Sequence, residues 1–306
     1  MKKKKILVIG SSNMDVVMEV DHIPVAGETI LAKSITEVPG GKGANQAYAA
    51  ARLGGRVTFL GAVGDDKNGK VMRDHLRQTG VDTSHMAEIP SMSSGGTMLL
   101  VNREGDNSIV VNQGANLKCD INYLSLQEKE LADSRIVMVQ MEIPYPTVYE
   151  SLKRAKETGA ITILDPAPAP DFLPEEVLRS IDYLTPNEGE LCKLTGRNST
   201  DIDSLKKGAE QFLEKGTKNV LVTMGSKGVL LVNKSGAKLF PAIEVRAVDT
   251  TAAGDTFNAA FAVGLSEGRD VEESILFAEK AAALTVCRKG AQASIPEREE
   301  ADFFLG

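Results

Sequence analysis

The apolar residues of this chain fall into short runs that are rich in β-branched side chains. In chain order, the runs are ILVIG, RVTFLGAVG, RIVMVQM, AITILDP, YLTP and NVLVTMG. Continuous apolar runs of this length are typical of strands that are buried on both faces of a sheet. Between most of them lie helical patterns, namely ANQAYAAARLGG, NGKVMRDHLRQTG, YPTVYESLKRAKETG and DIDSLKKGAEQFLEKG. Strands that alternate with helices predict an α/β fold with three layers, in which helices flank a doubly wound, mostly parallel central sheet.

Two segments interrupt this alternation. Residues 14–40 and 95–112 contain strand patterns that are joined by turns, without a helix between them. The second segment turns at Gly105 and Asp106, which favours a hairpin. We expect the two hairpins to form a small antiparallel sheet that projects from a single domain spanning residues 1–306. This sheet could close over a functional site as a lid, or it could consist of edge strands without such a role.

Length and composition indicate an ordinary globular protein and exclude some partners. The chain has 306 residues, of which 42% are hydrophobic and 25% are charged, and its net charge is -7. It lacks the basic surface that nucleic acid requires. The one basic run, Lys2 to Lys5, precedes the first strand pattern directly and indicates a solvated end rather than a targeting signal. No stretch approaches the ~18 apolar residues of a membrane span, so we expect a cytoplasmic protein without a membrane partner.

Cysteine and histidine suggest no chemistry of their own. Cys119, Cys192 and Cys287 are far apart, so they form neither a disulfide framework nor a Cys-x-x-Cys metal site. The three histidines are not at the spacing of metal ligands and suggest no Ser/His/Asp arrangement. Any catalysis must therefore rest on carboxylates, lysine, amides and the backbone.

The segment GSSNMD follows the first predicted strand. Asn13 and Asp15 are two residues apart, so both side chains can point to one face of an extended segment. Together they could offer donors and acceptors to a polyhydroxylated ligand. Asn and Asp after a strand are also common as turn residues, so the pair alone leaves both interpretations open.

A glycine-rich turn leads into the helical pattern of PGGKGANQAYAAARLGG. It does not fit a Walker A loop, because Lys42 is followed by Gly43 and the Gly-x4-Gly-Lys spacing is missing. It does not fit a dinucleotide-binding loop either, because Gln46 stands where the third glycine belongs. The turn could bring Lys42 and Asn45 close to a small ligand, or it could be a plain tight turn.

The segment VDTTAAGDTFNAAFAVGL places three small residues, Ala252, Ala253 and Gly254, before Asp255 at the start of a predicted helix. Unpaired N–H groups at a helix N-terminus form an anion hole, and small residues let a phosphoryl group approach them. The helix dipole favours an ionised Asp255, which could accept a proton from a hydroxyl as that hydroxyl attacks phosphorus. The alternative is an Asp that only caps the helix.

Residues 40–55 and 249–261 resemble, in order and in spacing, the two signatures of the ribokinase-like family of carbohydrate kinases. GSSNMD, VAGETI, DPAPA and VCRKGAQAS also match this family, and the resemblance covers essentially the whole chain. It implies ATP-dependent phosphorylation of D-ribose at O5, giving D-ribose 5-phosphate. It also implies a β lid that often forms the interface of a homodimer.

The resemblance carries site residues over position by position. Sugar contacts are implied for Asn13, Asp15, Gly41, Lys42, Gly43, Asn45 and Glu142. Catalysis is implied for Asp255 as the base, with Ala252, Ala253 and Gly254 as the anion hole. A nucleotide site, including a link from Asn187 and Glu190 to Mg²⁺ and phosphate, is implied for Asn187, Glu190, Thr223, Gly225, Ser226, Gly228, Gly254 and Glu279. A monovalent cation, usually K⁺, is implied beside the anion hole, surrounded mostly by backbone oxygens, at Asp249, Thr251, Thr285, Arg288, Gly290 and Ser294.

Two positions depart from the family pattern. Glu279 stands where the family often has His, and Asp165 stands where the family's NPAPA has Asn.

Three competing functions remain. The chain could instead phosphorylate a related sugar or nucleoside, such as deoxyribose, fructose or adenosine. It could be a sugar-binding regulator without catalysis, although the intact Asp255 and Gly254 favour a kinase. A nicotinamide dehydrogenase is disfavoured by the missing glycine fingerprint.

Four of the candidate site residues each follow a predicted strand, namely Asn13, Glu142, Asn187 and Gly225. We therefore expect them to converge on one edge of the sheet.

Overall fold

A computed structural model describes residues 4–304 of the chain, so Lys2 and Lys3 of the basic run lie outside the described residues. The strands are β1 (Lys5–Ile9), β2 (Asn13–Glu19), β3 (Ser34–Gly40), β4 (Arg56–Leu60), β5 (Ala62–Gly64), β6 (Ala87–Ile89), β7 (Gly95–Val101), β8 (Asn107–Asn112), β9 (Ile136–Gln140), β10 (Ile161–Asp165), β11 (Tyr183–Leu184), β12 (Asn219–Thr223), β13 (Val229–Asn233) and β14 (Gly236–Phe240).

The α-helices are α1 (Lys42–Arg52), α2 (Lys67–Gln78), α3 (Ile121–Ser125), α4 (Glu128–Ala132), α5 (Tyr145–Glu157), α6 (Glu175–Leu178), α7 (Glu188–Thr195), α8 (Ile202–Glu214), α9 (Ala253–Glu267), α10 (Val271–Val286) and α11 (Arg298–Phe303). Short 3-10 helices span Gly114–Lys118, Gly225–Lys227 and Gln292–Ser294.

The central sheet has eight strands in the order β14-β13-β12-β11-β10-β9-β1-β4. The strands from β12 to β4 are parallel, and β13 and β14 form an antiparallel edge. Alternate residues of β1 belong to two different cores. Ile6 belongs to the core that includes residues of α1, α9 and α10, whereas Leu7 belongs to the core on the other face, which includes residues of α5 and α8. Because both faces of the sheet are covered, the strand is apolar and buried from Ile6 to Ile9, and the predicted three-layer α/β fold is confirmed.

A second sheet of four strands has the order β3-β2-β7-β8. The pairs β2–β3 and β7–β8 are antiparallel hairpins, as the sequence predicts. The two hairpins join through the parallel pair β2–β7, which begins with Asn13 opposite Gly95. Segments that lie far apart in the chain therefore form one continuous sheet.

The chain also contains elements that the apolar pattern did not identify. The hairpin β13–β14 extends the central sheet beyond its parallel part, and α10 packs along α9. The run RVTFLGAVG divides into β4 and β5, and β5 pairs with β6 in a separate two-stranded sheet. Of the helices within residues 4–304, none combines the length and the apolar character that crossing a membrane requires.

Candidate active site

The glycine-rich turn packs the N-terminus of α1 closely against the end of β1. A Cβ atom on Gly43 would lie 2.6 Å from the backbone carbon of Gly10, so only glycine permits this approach. Gly41 has a φ of 87°, in the left-handed region that favours glycine. The turn thus brings the first residues of α1 to the carboxyl edge of the sheet, where ligands of open α/β sheets bind.

Glu142 lies at this helix N-terminus. Its Oε2 accepts hydrogen bonds from the backbone N–H of Lys42 at 3.0 Å and from the hydroxyl of Ser11. An acceptor in this position satisfies one of the unpaired N–H groups of the first turn. The structure therefore brings Glu142 and Lys42 together, as the resemblance implies, and it adds Ser11, which the sequence did not single out.

Asn13 and Asp15 are the first and third residues of β2, one of the two inner strands of the small sheet. Asn13 is buried, and its Oδ1 accepts a hydrogen bond from Asn116 Nδ2 at 2.8 Å. This bond leaves the amide N–H groups of Asn13 for other partners. Burial raises the pKa of Asp15 to about 6, a hydrogen bond with Thr97 opposes the rise, and the charge of Glu142 adds to it. Asn116 is a second residue that the sequence did not identify.

Helix α9 begins after a residue in an unusual conformation. Ala252 has a φ of 61° and occupies the N-cap position, and no side chain within residues 4–304 caps the helix. Asp255 lies in the first turn, but its oxygens bond to side chains of α1 instead of capping α9. The interpretation of Asp255 as a simple helix cap therefore has no support in the geometry.

Asp255 is buried and receives one amide donor on each oxygen. Asn45 Nδ2 donates to Oδ2 at 3.0 Å, and Gln46 Nε2 donates to Oδ1 at 3.1 Å. Burial raises the pKa of the Asp255 carboxyl, while the positive charge of Lys42 and the two amide donors oppose the rise. Burial therefore opposes the ionised form of Asp255, which the helix dipole favours.

Lys42 and Asp165 complete the charged groups around Asp255. Burial alone would lower the pKa of Lys42, but the charges of Asp255, Asp165 and Glu142 raise it well above its usual value. Asp165 is buried at the end of β10, and burial raises its pKa to about 8 although Lys42 opposes the rise. Its Oδ2 accepts a hydrogen bond from Gln46 Nε2 at 2.8 Å. The departure from the family's Asn thus places a second carboxyl group one amide away from Asp255.

A cavity of about 720 Å³ lies beside the start of α9. Six of the residues implied for the nucleotide site line it, and these are Thr223, Gly225, Ser226, Gly228, Gly254 and Glu279. Ile243, Phe257 and Val286 contribute apolar surface, which suits the flat ring of a nucleobase. Burial raises the pKa of Glu279 to about 7. The cavity therefore reaches the start of α9 at Gly254 and has an apolar region with Glu279 as its one titratable group from α10.

Asn187 and Glu190 do not line this cavity. They form the capping box of α7, in which Glu190 N donates to Asn187 Oδ1 and Asn187 N donates to Glu190 Oε2, both at 2.8 Å. Asn187 also pairs with Thr223 of the cavity wall through a β-bridge. The negative charge of Glu190 raises the pKa of both Lys42 and Asp165, so Glu190 lies near enough for its charge to act on these buried groups.

Side-chain hydrogen bonds connect three of the residues implied for the monovalent cation, Asp249, Thr251 and Gly290. Asp249 accepts hydrogen bonds from Thr251 N at 2.9 Å, from Thr251 Oγ1 at 2.6 Å and from Gly290 N at 2.8 Å. Although burial alone would raise it, these bonds hold the pKa of Asp249 below its usual value. Arg288 instead forms an ion pair with Glu300. The buried hydroxyls of the set are bonded elsewhere, Thr285 to Ala281 O and Ser294 to Ala291 O.

Within residues 4–304, no three side chains of His, Cys, Asp or Glu are grouped as metal ligands. A Mg²⁺ ion that is held through substrate phosphates needs only one or two carboxylates. Such a site would therefore not form a cluster in the protein alone.

The whole chain is similar in sequence and in structure to known carbohydrate kinases. The sequence model of the pfkB family carbohydrate kinases matches residues 3–298. The chain is 43% identical over 302 residues to ribokinase of Bacillus subtilis and 40% identical over 303 residues to ribokinase of Haemophilus influenzae, covering 99% of each chain. It is 35% identical to deoxyribokinase of Salmonella typhimurium, covering 98% of both chains. The structure superposes on Arabidopsis thaliana ribokinase complexed with ribose and ATP with a TM-score of 0.91 and 35% identity, covering 98% of both chains.

Proposed function

The chain belongs to the pfkB family of carbohydrate kinases, and we propose that it transfers the γ-phosphoryl group of ATP to O5 of D-ribose. Full-length similarity to two ribokinases, and to a ribokinase whose structure holds ribose and ATP, supports this substrate pair. One observation on the chain itself carries the proposal. The buried carboxylate of Asp255 lies between the residues implied for the sugar and a cavity that suits a nucleotide.

In the proposed reaction, Asp255 accepts the proton of the O5 hydroxyl while O5 forms a bond to the γ-phosphorus. The bond between that phosphorus and the bridging oxygen breaks, and ADP leaves with the electron pair. Burial supports Asp255 as the base, because it raises the pKa of the carboxyl and makes it a stronger proton acceptor. The N-terminus of α9, which no described side chain caps, would stabilise the negative charge of the transferred group.

The sugar would bind beside Asp255, at the edge where β1 and β2 meet α1. Asn13 and Asp15 would accept and donate to sugar hydroxyls, with Asn116 fixing the orientation of Asn13. Glu142 and Lys42 would contact the hydroxyls on the opposite side, since Glu142 is anchored at the start of α1. We expect Gly41, Gly43 and Asn45 to complete the contacts.

Two cations fit the residues present. Asp249 is a partly buried carboxylate whose pKa is held low, and it would hold a monovalent ion such as K⁺ together with oxygens around Thr251 and Gly290. The charge of Glu190 acts on the buried acids, so this carboxylate would face Mg²⁺ bound to the phosphates. When bound, these ions neutralise negative charge on the phosphoryl groups.

The small sheet supports two further proposals. It begins at Asn13 and Gly95, so residues 14–40 and 95–112 could close over the sugar as a lid. It also exposes Ile35, Met98 and Val110, and exposed apolar surface of this kind is typical of protein contacts. We therefore propose a homodimer through the lid. The cytoplasmic location and the absence of nucleic-acid and membrane partners stay predictions.

A panel of sugars tests the proposed substrate. Purified protein is given ATP, Mg²⁺ and each of D-ribose, 2-deoxy-D-ribose, D-fructose and adenosine, and the release of ADP is followed with and without K⁺. We expect the highest kcat/KM with D-ribose and a product phosphorylated at O5. A higher value with deoxyribose would favour the second candidate, which the similarity to a deoxyribokinase supports. Sugar binding without release of ADP from any substrate would instead indicate a regulator.

A further inference from the structure

Each oxygen of the Asp255 carboxylate is held by an amide that is itself held by a second amide. Gln46 donates to Oδ1, and the carbonyl oxygen of Gln46 accepts a hydrogen bond from Gln140 Nε2 at 2.7 Å. Asn45 donates to Oδ2, and the carbonyl oxygen of Asn45 accepts one from Gln292 Nε2 at 3.0 Å. We call these two chains the Gln140 relay and the Gln292 relay.

The outer amides fix which way the inner amides face. A side-chain amide can rotate by 180° and exchange its oxygen for its nitrogen. With Gln140 Nε2 donating to it, the oxygen of Gln46 must face Gln140, so its NH₂ group faces Asp255 and Asp165. The same argument applies to Asn45, whose oxygen faces Gln292. Without the outer donors, only the carboxylates would favour this orientation, and each inner amide would be held in place by fewer hydrogen bonds.

Gln140 is placed at some cost to stability. It is the last residue of β9 and is fully buried, and its Oε1 has no hydrogen-bond partner within the described part of the chain. An unpaired buried acceptor lowers stability. Gly10 leaves the space for this amide, because a Cβ atom there would lie 2.1 Å from Gln140 Oε1. An apolar side chain would suit this buried strand better, so packing alone does not account for a glutamine.

We propose that Gln140 and Gln292 are positioning residues, which act through Gln46 and Asn45 to hold one amide donor on each oxygen of Asp255. Neither bonds to Asp255 directly. The relays keep the carboxylate in one orientation and favour its ionised form, because donors to a carboxylate stabilise the charge. This inference rests on the proposed role of Asp255 as the base.

The test replaces each outer amide with methionine, which has a similar length and no donor. For Gln140→Met we expect kcat to fall about tenfold. This fall corresponds to losing much of the charge-assisted hydrogen bond from Gln46 to Asp255. The KM for ribose should stay within about twofold, because Gln46 is not a sugar contact in the proposed site. Gln292→Met should lower kcat similarly and also raise the KM for ribose, since Asn45 is a proposed sugar contact.

The pH dependence of kcat separates positioning from a general loss of structure. Asp255 is active as the ionised base, so weaker donors raise its pKa and move the acid limb of the profile to higher pH by about one unit. The charged groups that face Asp255 are Lys42 on α1, Glu142 after β9 and Asp165 on β10, with Glu190 on α7 beyond them. Neither variant changes these charges. Gln292 also acts on the pKa of His75 on α2, so the shift of Gln140→Met is the one that reports the amides alone.

Asn258→Ala is the matched control, because Asn258 is a buried amide on α9 that belongs to neither relay. It should leave the acid limb in place, and thermal melts should show that all variants fold. If the acid limbs of Gln140→Met and Gln292→Met coincide with that of the wild type while Asp255→Asn is inactive, the relays have no positioning role. If Asp255→Asn itself stays active, the proposed base is wrong, which is a different failure.

Discussion

Replacing Asp255 with Asn removes the proposed base while keeping the size of the side chain. In the wild-type protein, both oxygens accept hydrogen bonds from amides, at 3.0 Å from Asn45 and 3.1 Å from Gln46. An Asn offers one acceptor and one donor, so one of these two amides loses its partner. The variant also cannot take up a proton from the O5 hydroxyl at neutral pH.

The effects on stability and on rate differ in size. An unsatisfied buried donor costs about 1 to 3 kcal/mol. Opposing this, burial raises the folded-state pKa of Asp255 above its usual value, so ionisation destabilises the wild-type fold as pH rises above the unfolded-state pKa. An Asn does not ionise and so avoids this destabilisation. Because the two effects oppose each other, we expect only a small change in melting temperature at pH 7. Loss of a general base lowers kcat by ~10²- to 10⁴-fold, or roughly 3 to 5 kcal/mol of barrier.

The assay follows ADP release at saturating ribose and ATP, with ribose affinity measured by calorimetry and folding checked by a thermal melt. Ribose affinity should change far less than kcat, because Asn13, Asp15 and Glu142 still hold other hydroxyls in the proposed site. Asp270→Asn is the matched control. Asp270 caps α10 by accepting from Glu273 N at 2.8 Å, and Asn is an equally good cap, so its kcat should equal that of the wild type. A kcat within a factor of three for Asp255→Asn would remove Asp255 from the mechanism.

Three further predictions follow from the same site. Replacing K⁺ by a bulky organic cation at equal ionic strength should lower kcat, because Asp249 would lose its cation; an unchanged kcat would remove the cation from the reaction. Ribose should protect residues 14–40 and 95–112 from hydrogen exchange, and equal exchange with and without ribose would leave these segments as structural edges. The kcat of the wild type should fall above about pH 8, because Asp165 ionises there and its negative charge opposes the approach of the negatively charged phosphoryl group. Asp165→Asn should lack this fall, and coincident profiles would show that Asp165 does not titrate during turnover.

The parallel part of the fold could be predicted because burial leaves a direct mark on the sequence. Strands such as β1 contact a core on each face, and this requirement makes their buried residues, here Ile6 to Ile9, apolar without interruption. The hairpin β13–β14 was missed because β14, with the sequence GAKLF, is largely exposed and has no continuous apolar run. The parallel junction between β2 and β7 joins residues about 80 positions apart, and no local pattern records such a pairing.

The site residues that lie within short sequence signatures could be predicted. Those that meet their partners only through tertiary contacts were missed. Asn45, Lys42 and Asp255 were carried over from a family pattern, and the structure brings them together. Gln140 and Gln292 follow no turn or helix signal, and each meets its partner only through tertiary packing. In the sequence, Gln140 is simply a polar residue at the end of an apolar run.

The state of the Asp255 carboxylate shows which of these two kinds of information matters more for the chemistry. A helix dipole favours a nearby charge by 0.3 to 1 kcal/mol at an exposed site and by up to ~2 kcal/mol where it is partly buried. A hydrogen bond to a charged group contributes about 1.5 to 3 kcal/mol, and Asp255 receives two. Since burial works against ionisation, the two amides and Lys42 must contribute most of the stabilisation that keeps the base charged. The position of Asp255 on its helix is visible in the sequence, but the groups that make it a usable base lie on α1, and their orientation depends on β9 and on the turn at Gln292.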